Sequence, residues 1–251
     1  MSVNEEGRAA PSATPAPSRT SHQMPSGQTR AEGPSWHMVV VVNGELPAVD
    51  HADLRRQLVE ADQLVAVDGG LRHCANLEVW PTILIGDLDS APSELIDEAR
   101  SRDIAVHAFP VDKDATDLEL AMDLALESGA TAVTVVAPFG GRLDHELATI
   151  SLLAASRWQP MEITATDGLR YLHVVHGRRS LHLRPGTTVS LLPWHGDAVG
   201  VTTKGLRWTL DGSTLQAGTT RGVSNVVVDT AQEVAVDIGV LLVLVDHGRA
   251  D

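Results

Sequence analysis

The chain has 251 residues and a formal net charge of −14 at pH 7, and 43% of its residues are hydrophobic. The length suits one large domain or two modest ones, and the acidic balance argues against nucleic acid or an anionic membrane as a partner. The single cysteine, Cys74, excludes an internal disulfide. Together with the lack of a recognisable signal sequence and of any bilayer-length apolar run, this predicts a soluble cytoplasmic protein.

Residues 1–35 form the first distinct segment. They are rich in Pro, Ser, Thr, Ala, Gly and Gln and nearly free of large apolar side chains. Such a segment buries too little apolar surface to offset the entropy lost on ordering, so it is predicted to be a disordered tail.

Residues 36–158 alternate between apolar runs and helical segments. The apolar runs are MVVVV, QLVAV, TILIG, IAVHAF and TAVTVV, and their uniform hydrophobicity is typical of strands buried on both faces of a parallel sheet. The helical segments between and after them are ADLRRQLVEA, LRHCANL, SELIDEARSR, DATDLELAMDLALESGA and HELATISLLAAS. This alternation predicts a doubly wound, mostly parallel α/β domain.

The fourth helical segment has the clearest signals of the set. Thr116 followed three residues later by Glu119 is a capping-box signature, which places Asp117 at the first helical position. The apolar residues of the segment fall on one stripe, which is predicted to face the core: Leu118, Ala121, Met122 and Ala125.

Residues 159–251 have a different pattern. Short apolar or alternating runs (MEITAT, RYLHVV, RSLHLR, TTVSLLPW, EVAVDI and VLLVLV) are separated by turn signals such as Asp167-Gly168 and Asp211-Gly212. Because no helical period intervenes, this part is predicted to be an all-β sandwich.

Acidic side chains follow several of the predicted parallel strands. In chain order they are Asp68, Asp87, Asp89, Asp112, Asp114, Asp117 and Asp144. One such aspartate alone is better explained as a turn former or a helix start. Ligands of an open parallel sheet, however, bind outside the carboxyl ends of its strands, and carboxylates gathered there repel each other unless a cation neutralises them. Oxygen ligands suit Mg²⁺, so Asp87 and Asp89 are predicted to share a magnesium site.

Glycine pairs and basic side chains accompany these carboxylates. Gly69-Gly70 and Gly140-Gly141 indicate positions where the backbone comes close to a ligand or takes a positive φ. Arg142 can fork onto phosphate oxygens, and Lys113 can act on them as a point charge. The chain has no Walker A motif and no GxGxxG, so a nucleotide would be held through metal and these loops.

Taken in order, the segments VVNGE, VDGG, GDLDS, FPVDKDATDLELAM and GGRLDH resemble the thiamine pyrophosphokinase (thiamine diphosphokinase) family, and GVTTKGLRWTL and RGVSN resemble its carboxyl-terminal β domain. The likeness runs from about Val39 to Gly239. It implies transfer of the pyrophosphoryl group of ATP to the hydroxyethyl group of thiamine, giving thiamine diphosphate and AMP. It also implies a homodimer in which the catalytic domain (residues 36–158) of one chain and the thiamine-binding β domain (residues 159–251) of the other enclose each active site.

The resemblance also implies roles for individual residues. Asp68, Asp87, Asp89 and Asp117 would form the cluster that holds magnesium and phosphate, and Asp144 would lie near the metal or the thiamine hydroxyl. The nucleotide side would comprise Asn43, Gly69, Gly70, Lys113, Gly141 and Arg142. Thiamine would be contacted by Ser224, Asn225 and Trp208. If a general base exists, the sequence leaves both Asp144 and Asp117 as candidates.

Two other functions stay open at this stage. A related pyrophosphokinase for another heterocyclic alcohol, such as a pterin, would use the same metal cluster with different contacts from the β domain. A non-catalytic nucleotide or thiamine sensor would be expected to have lost some of the carboxylates, and every aspartate that the family pattern requires is present.

Overall fold

The amino-terminal half of the described chain alternates strand and helix in the predicted order. The structure is a computed structural model that describes residues 35–87, 91–108 and 114–247, so the tail predicted for residues 1–35 lies outside it except for Ser35. The strands of this half are β1 (His37–Val41), β2 (Gln63–Val67), β3 (Ile83–Gly86), β4 (Ala105–Ala108) and β5 (Ala132–Val136). The helices are α1 (Ala52–Glu60), α2 (Gly70–Asn76), α3 (Ser93–Ser101), α4 (Asp117–Glu127) and α5 (Leu143–Leu153). The predicted alternation is confirmed.

The remainder of the described chain is built from strands. They are β6 (Glu162–Thr166), β7 (Arg170–Val175), β8 (Arg178–Leu181), β9 (Thr188–Lys204), β10 (Ser213–Leu215), β11 (Asn225–Val226), β12 (Gln232–Ala235) and β13 (Ile238–Asp246). The run TTVSLLPW predicted a strand ending at Trp194, whereas β9 continues to Lys204. The sequence did not predict β10 and β11, because strands of three and two residues are too short to show an alternating pattern.

One mixed sheet connects the two halves. Its strands are hydrogen-bonded in the order β4-β3-β2-β1-β5-β6-β7-β13-β9-β12-β8. The pairs from β4 to β6 are parallel, and the pairs from β6–β7 onward are antiparallel. The predicted combination of a parallel α/β part with an antiparallel, strand-rich part is confirmed. Strand β6 pairs with β5 along its whole length, so the hydrogen bonding continues across the boundary predicted near residue 158. The domain limits themselves stay a prediction.

The long strand β9 produces the sandwich of the second half. Its first part pairs with β13 through residues 189–194, and its last part pairs with β12 through residues 202–204. The last part of the sheet, formed by the end of β9 with β12 and β8, therefore packs over the strands that precede it in the sheet order. The core between them contains buried side chains such as Val189, Leu191, Val201, Val234, Leu241 and Val243.

In the parallel half, α4 packs as its sequence predicts. The side chain of its N-cap residue, Thr116, accepts a hydrogen bond from the amide of Glu119 at 3.2 Å. The predicted stripe (Leu118, Ala121, Met122 and Ala125) is buried in a core shared with β1, β2 and β5. None of the helices in the described ranges is long and apolar enough to cross a membrane.

The order of the parallel strands fixes where a ligand can bind. The chain leaves β1, adds β2, β3 and β4 on one side, and returns through α4 to place β5 on the other side of β1. Strand order therefore reverses between β1 and β5, and a crevice opens beyond their carboxyl ends. We refer to residues 42–47, 68–70, 86–87 and 137–142, which follow the carboxyl ends of β1, β2, β3 and β5, as the carboxyl edge.

Candidate active site

The ends of β2 and β3 meet at the carboxyl edge. The Asp68 amide donates to the Ile85 carbonyl at 2.9 Å, and the Asp68 backbone is left-handed, with φ 45°. A Cβ added to Gly86 would lie 1.6 Å from Asp68 Oδ1, and Gly86 itself has φ +146°. The Asp68 carboxylate therefore occupies the space where any other residue at position 86 would carry its side chain. This close fit brings Asp68 next to the backbone that leads into half-buried Asp87.

Asn43 and the glycine pair after β2 form the next part of the edge. A Cβ on Gly69 would lie 2.3 Å from Asn43 Oδ1, and one on Gly70 would lie 2.1 Å from the Val41 carbonyl oxygen. The sequence predicts that the backbone at these glycines comes close to a ligand or takes a positive φ; Gly69 has φ −62°, and approach to a ligand stays a prediction. The approaching groups are the Asn43 side chain and the β1 backbone. Both glycines therefore let the loops after β1 and β2 pack against each other.

The loops after β1 and β5 are joined across the crevice. The amide of Gly44 donates to the Ala137 carbonyl at 2.9 Å, and the amide of Glu45 donates to the Phe139 carbonyl at 2.7 Å. Ala137 has φ 57°, an uncommon conformation for a residue with a Cβ. These bonds hold the two loops of the switch point as one unit.

Arg142 and Asp144 lie at the start of α5, as predicted, and they pair with each other. Arg142 Nη2 donates to Asp144 Oδ2 at 2.6 Å, and Nε donates to Oδ1 at 3.1 Å. The hydrogen bond from Arg142 lowers the pKa of the Asp144 carboxyl, and the same contact raises the pKa of Arg142. Both side chains are exposed, so water and salt screen the pair and its net contribution to stability is small.

Of the remaining predicted metal and phosphate residues, the structure describes one and leaves two outside its described ranges. Asp117 is the first residue of α4, where its carboxylate also suits the helix dipole. Asp89 and Lys113 lie outside the described residues. Among the residues that are described, no group of three His, Cys, Asp or Glu side chains is close enough to hold a metal ion. Asp68 lies against Gly86, the residue before Asp87, and the magnesium cluster itself stays a prediction.

The predicted thiamine residues lie together in the antiparallel half. Asn225 is 6% exposed; its Oδ1 accepts from the amide of Trp208 at 3.1 Å, and its Nδ2 donates to the Trp208 carbonyl at 2.7 Å. The Trp208 side chain is 58% exposed. Ser224 is left-handed (φ 60°), and its amide donates to Ser190 Oγ at 3.1 Å. The polar atoms of Asn225 therefore hold the Trp208 backbone, and the exposed indole is the group presented to the surface.

Sequence reasoning missed a polar group at the junction of the halves. Glu146 Oε2 accepts from the Gly140 amide at 3.0 Å, and the carboxylate of fully buried Asp167 accepts from Arg170 Nε at 2.6 Å. Asp167 was interpreted only as part of a turn signal, because Asp-Gly pairs are common turn formers. Arg170, two residues after Gly168, was the available signal.

A cavity of about 220 Å³ lies at this junction. Phe139, Glu146 and Ile150 line it from the parallel half, and Arg170, Thr188 and Ser190 are among the residues that line it from the antiparallel half. Because Ser190 also binds the Ser224 amide, the cavity lies between the loop that carries Arg142 and the predicted thiamine residues.

Comparison with known proteins agrees with this arrangement. The chain matches the family model for the thiamin pyrophosphokinase catalytic domain over residues 54–165 and the model for the thiamin pyrophosphokinase vitamin B1 binding domain over residues 172–241. The interval between the two matches contains the β6–β7 turn with Asp167 and Arg170. The two models thus meet where the parallel and antiparallel halves meet.

Individual relatives cover most of the chain. Thiamine pyrophosphokinase of Bacillus subtilis is 25% identical over 182 residues, which is 72% of this chain and 85% of the relative. Thiamine pyrophosphokinase 1 of Oryza sativa subsp. japonica is 25% identical over 233 residues, covering 80% of this chain and 84% of the relative.

Solved structures share the fold. The crystal structure of thiamine pyrophosphokinase from Bacillus subtilis has a TM-score of 0.74 at 23% identity and covers 85% of this chain and 100% of its own. Thiamin pyrophosphokinase from Candida albicans has a TM-score of 0.69 at 12% identity, with 85% and 89% covered. With both domain models matched in order over residues 54–165 and 172–241, the chain belongs to the thiamine pyrophosphokinase family.

Proposed function

We propose that the chain transfers the pyrophosphoryl group of ATP to the hydroxyethyl group of thiamine, giving thiamine diphosphate and AMP. The observation that carries the proposal is the seating of the Asp68 carboxylate against Gly86, which joins two acidic strand ends in a chain that matches both domains of one family. ATP is the co-substrate of that family. Neither the pterin-type enzyme nor the non-catalytic sensor is favoured by these matches.

Mg²⁺ is the metal that the donor set suits. Asp68 and Asp87 would hold it from the ends of β2 and β3, and Asp89 and Asp117 complete the proposed set. Support comes from the all-oxygen donors and from the contact between Asp68 and Gly86, which places two carboxylate-bearing segments side by side. When bound, Mg²⁺ would supply positive charge that neutralises the phosphates during the transfer.

The nucleotide is gripped by the loops of the carboxyl edge. Asn43, Gly69 and Gly70 form the packed junction of the first two loops, and Gly141 gives the third loop its left-handed turn (φ 76°). Arg142 forks onto phosphate oxygens, and Lys113 adds a point charge. Since the transferred group needs little covalent help, fixing the phosphates in line with the acceptor supplies most of the acceleration.

Phosphate binding by Arg142 is coupled to the proton affinity of Asp144. While Arg142 donates to Asp144, the pKa of that carboxyl is lowered and it is a weak base. A phosphate can compete for Arg142, because the pair is exposed and only weakly favourable in water. Once Arg142 turns to the phosphate, the pKa of Asp144 rises toward its ordinary value, which makes Asp144 a better proton acceptor for the thiamine hydroxyl. Asp117 stays the second candidate for this role.

Thiamine is recognised by the antiparallel half. Its rings would stack on the exposed Trp208 indole, with Ser224 beside it and Asn225 fixing the segment that carries Trp208. Two such chains would assemble so that the Trp208 of one faces the carboxyl edge of the other. Exposed apolar side chains on both surfaces support this homodimer, namely Leu143 and Leu147 on α5 and Val223 and Val228 near Trp208.

AMP release from ATP and Mg²⁺ tests the proposed reaction. Thiamine should stimulate release and a hydroxymethylpterin should not, because the second model that the chain matches is a vitamin B1 binding domain. Release that depends on the pterin would favour the related pyrophosphokinase, and no release with either acceptor would favour a binding protein.

Asp87→Asn tests the metal-binding role. The variant should lower thiamine-dependent AMP release by roughly a hundredfold or more, because a ligand of the charge-neutralising ion is lost. Asp89→Asn should behave alike. The control Asp97→Asn removes an exposed carboxylate from α3 and should retain full activity. An active Asp87→Asn enzyme with an unchanged Mg²⁺ requirement would contradict the assignment.

The homodimer is tested by mixing two inactive variants. Asp87→Asn and Trp208→Ala chains should regain activity when mixed, because a mixed dimer contains one site built from the intact halves of both. No recovery in a mixture that sediments as dimers would place both halves of the site in one chain.

A further inference from the structure

Asp167 is the one charged side chain that is fully buried among the described residues. It lies in the turn between β6 and β7, where Oδ1 accepts from the amides of Leu169 and Arg170 at 2.9 and 2.7 Å. Its Oδ2 accepts from Arg170 Nε at 2.6 Å. A carboxylate removed from water is costly unless its lone pairs are satisfied, and here Arg170 and its own turn satisfy them.

This ion pair aims Arg170 at the parallel half. The Arg170 guanidinium carbon lies 4.9 Å from the centre of the Phe139 ring, within the range of a cation–π contact. The turn is also bonded to the neighbouring loop, because the Ala137 amide donates to the Thr166 carbonyl at 2.9 Å. The β6–β7 turn is therefore attached to the β5–α5 loop by both backbone and side chain.

Phe139 in turn fixes the segment that leads to Arg142. Its ring is 6% exposed, and its carbonyl accepts the amide of Glu45 at 2.7 Å. The next residue, Gly140, donates its amide to Glu146 at 3.0 Å, and both Gly140 and Gly141 are left-handed (φ 86° and 76°). Left-handed glycines have wide conformational freedom, so this loop needs an external anchor to hold one shape.

We propose that Asp167, Arg170 and Phe139 form a positioning device, here named the Arg170 clamp, that holds the Gly140–Gly141 turn so that Arg142 meets the phosphates of the nucleotide. The proposal rests on the proposed function for the role of Arg142. Arg170 acts through Phe139, so it is a positioning residue. The clamp crosses the junction between the two matched domains. The position of Arg142, which binds phosphate, therefore depends on residues of the antiparallel half.

Arg170→Met removes the cation and keeps most of the aliphatic length. Arg102→Met is a matched control: Arg102 pairs with Glu98 at 2.7 Å, lies 4.4 Å from the Trp80 ring centre and has a side chain 47% exposed, against 48% for Arg170. It follows α3, which ends before the amino end of β4 and so lies away from the carboxyl edge. Arg170→Met should lose more thermal stability than Arg102→Met, because it leaves the buried Asp167 carboxylate without its cation, whereas Glu98 is 42% exposed. The positioning role is therefore judged by kinetics and by loop exchange at temperatures where both variants are folded.

Only Arg170→Met should change catalysis. We expect its kcat to fall about tenfold and its KM for ATP to rise severalfold, since misplacing a positioned group by a fraction of an ångström has such effects. Arg170→Lys, which retains a cation near the ring, should recover most of the rate. Phe139→Leu should resemble Arg170→Met, and the double variant should be no worse than the poorer single variant because both break one contact. Equal kinetics for Arg170→Met and Arg102→Met, or multiplicative losses in the double variant, would overturn the proposal.

Amide hydrogen exchange tests the clamp apart from the reaction. The amides of residues 139–142 should exchange faster in Arg170→Met and Phe139→Leu than in the parent chain or in Arg102→Met. If the clamp variants exchange faster but the parent chain shows no thiamine-dependent AMP release, the clamp is supported and the proposed function is contradicted. If exchange is unchanged in both clamp variants, the clamp is contradicted and the proposed function is unaffected.

Discussion

The parallel and antiparallel halves use polar side chains in opposite ways. In the antiparallel half, buried polar groups bind the protein's own backbone: Asn225 holds Trp208, and the Thr203 hydroxyl accepts the amide of Leu210. In the parallel half, the polar groups lie at the carboxyl edge, where Asp68 is seated on Gly86 and Arg142 pairs with Asp144 in the open.

The physical cause of this difference is strand direction. Parallel strands all end at one side, so the chemistry that follows each strand collects there. Antiparallel strands end alternately at opposite sides, and their polar groups instead close turns and fix loops. A division of labour follows, in which the parallel half handles phosphate and metal and the antiparallel half supplies a shaped surface for the acceptor.

Gly86→Ala should have the largest effect. The new Cβ would overlap the Asp68 carboxylate, and alanine also resists φ +146°, so Asp68 must move from its place beside Asp87. Strain and displacement together cost about 1–3 kcal/mol of stability, and AMP release should fall by roughly a hundredfold because a positioned carboxylate is lost.

Gly212→Ala is the control for Gly86→Ala. Gly212 is also left-handed (φ +55°), but an added Cβ there meets nothing within 4 Å. Gly212→Ala should lose stability only because alanine resists the positive φ, and it should retain full activity. Full activity in Gly86→Ala would mean that the position of Asp68 is not critical.

Asn225→Ala should have an intermediate effect, and chiefly on stability. It leaves the backbone amide and carbonyl of Trp208 without their partner, which costs about 2 kcal/mol in the free energy of unfolding. Denaturant unfolding measures this, and the KM for thiamine should rise because Trp208 is released. Asn76→Ala, at an exposed helix end, is the control. An unchanged unfolding free energy would show that these bonds are dispensable.

A change at His173 should have the smallest effect at neutral pH, because its contribution appears only as a pH dependence below pH 6.5. Burial lowers the pKa of His173 from 6.5 to about 3, so between these values the unfolded chain binds a proton that the folded chain does not. Stability from this group is complete above pH 6.5 and is lost as the pH falls, by about 1.4 kcal/mol per pH unit. His173→Gln should flatten this slope in unfolding experiments between pH 6 and 4; an identical slope would contradict the assignment.

The sequence predicted the site residues of the parallel half better than those of the junction. Asp68, Asp87 and Arg142 follow buried apolar runs, so their place at the carboxyl edge follows from strand direction alone. Asp167 and Arg170 follow a strand predicted for a separate β domain, and nothing local indicates that β6 extends the parallel sheet beside β5. Asn225 begins the two-residue strand β11, and its partner, Trp208, is 17 residues earlier in the chain, a pairing that no periodicity encodes.

The sequence by itself determined the alternation of elements, the capped helix α4, the acidic strand ends and the family motifs, because each is encoded by residues close together in the chain. Tertiary structure alone decided that the Asp68 carboxylate fills the space beside Gly86, that the sheet crosses the predicted boundary, and that Arg170 reaches Phe139. These contacts join residues far apart in sequence, and they depend on the strand order and register that the whole fold selects.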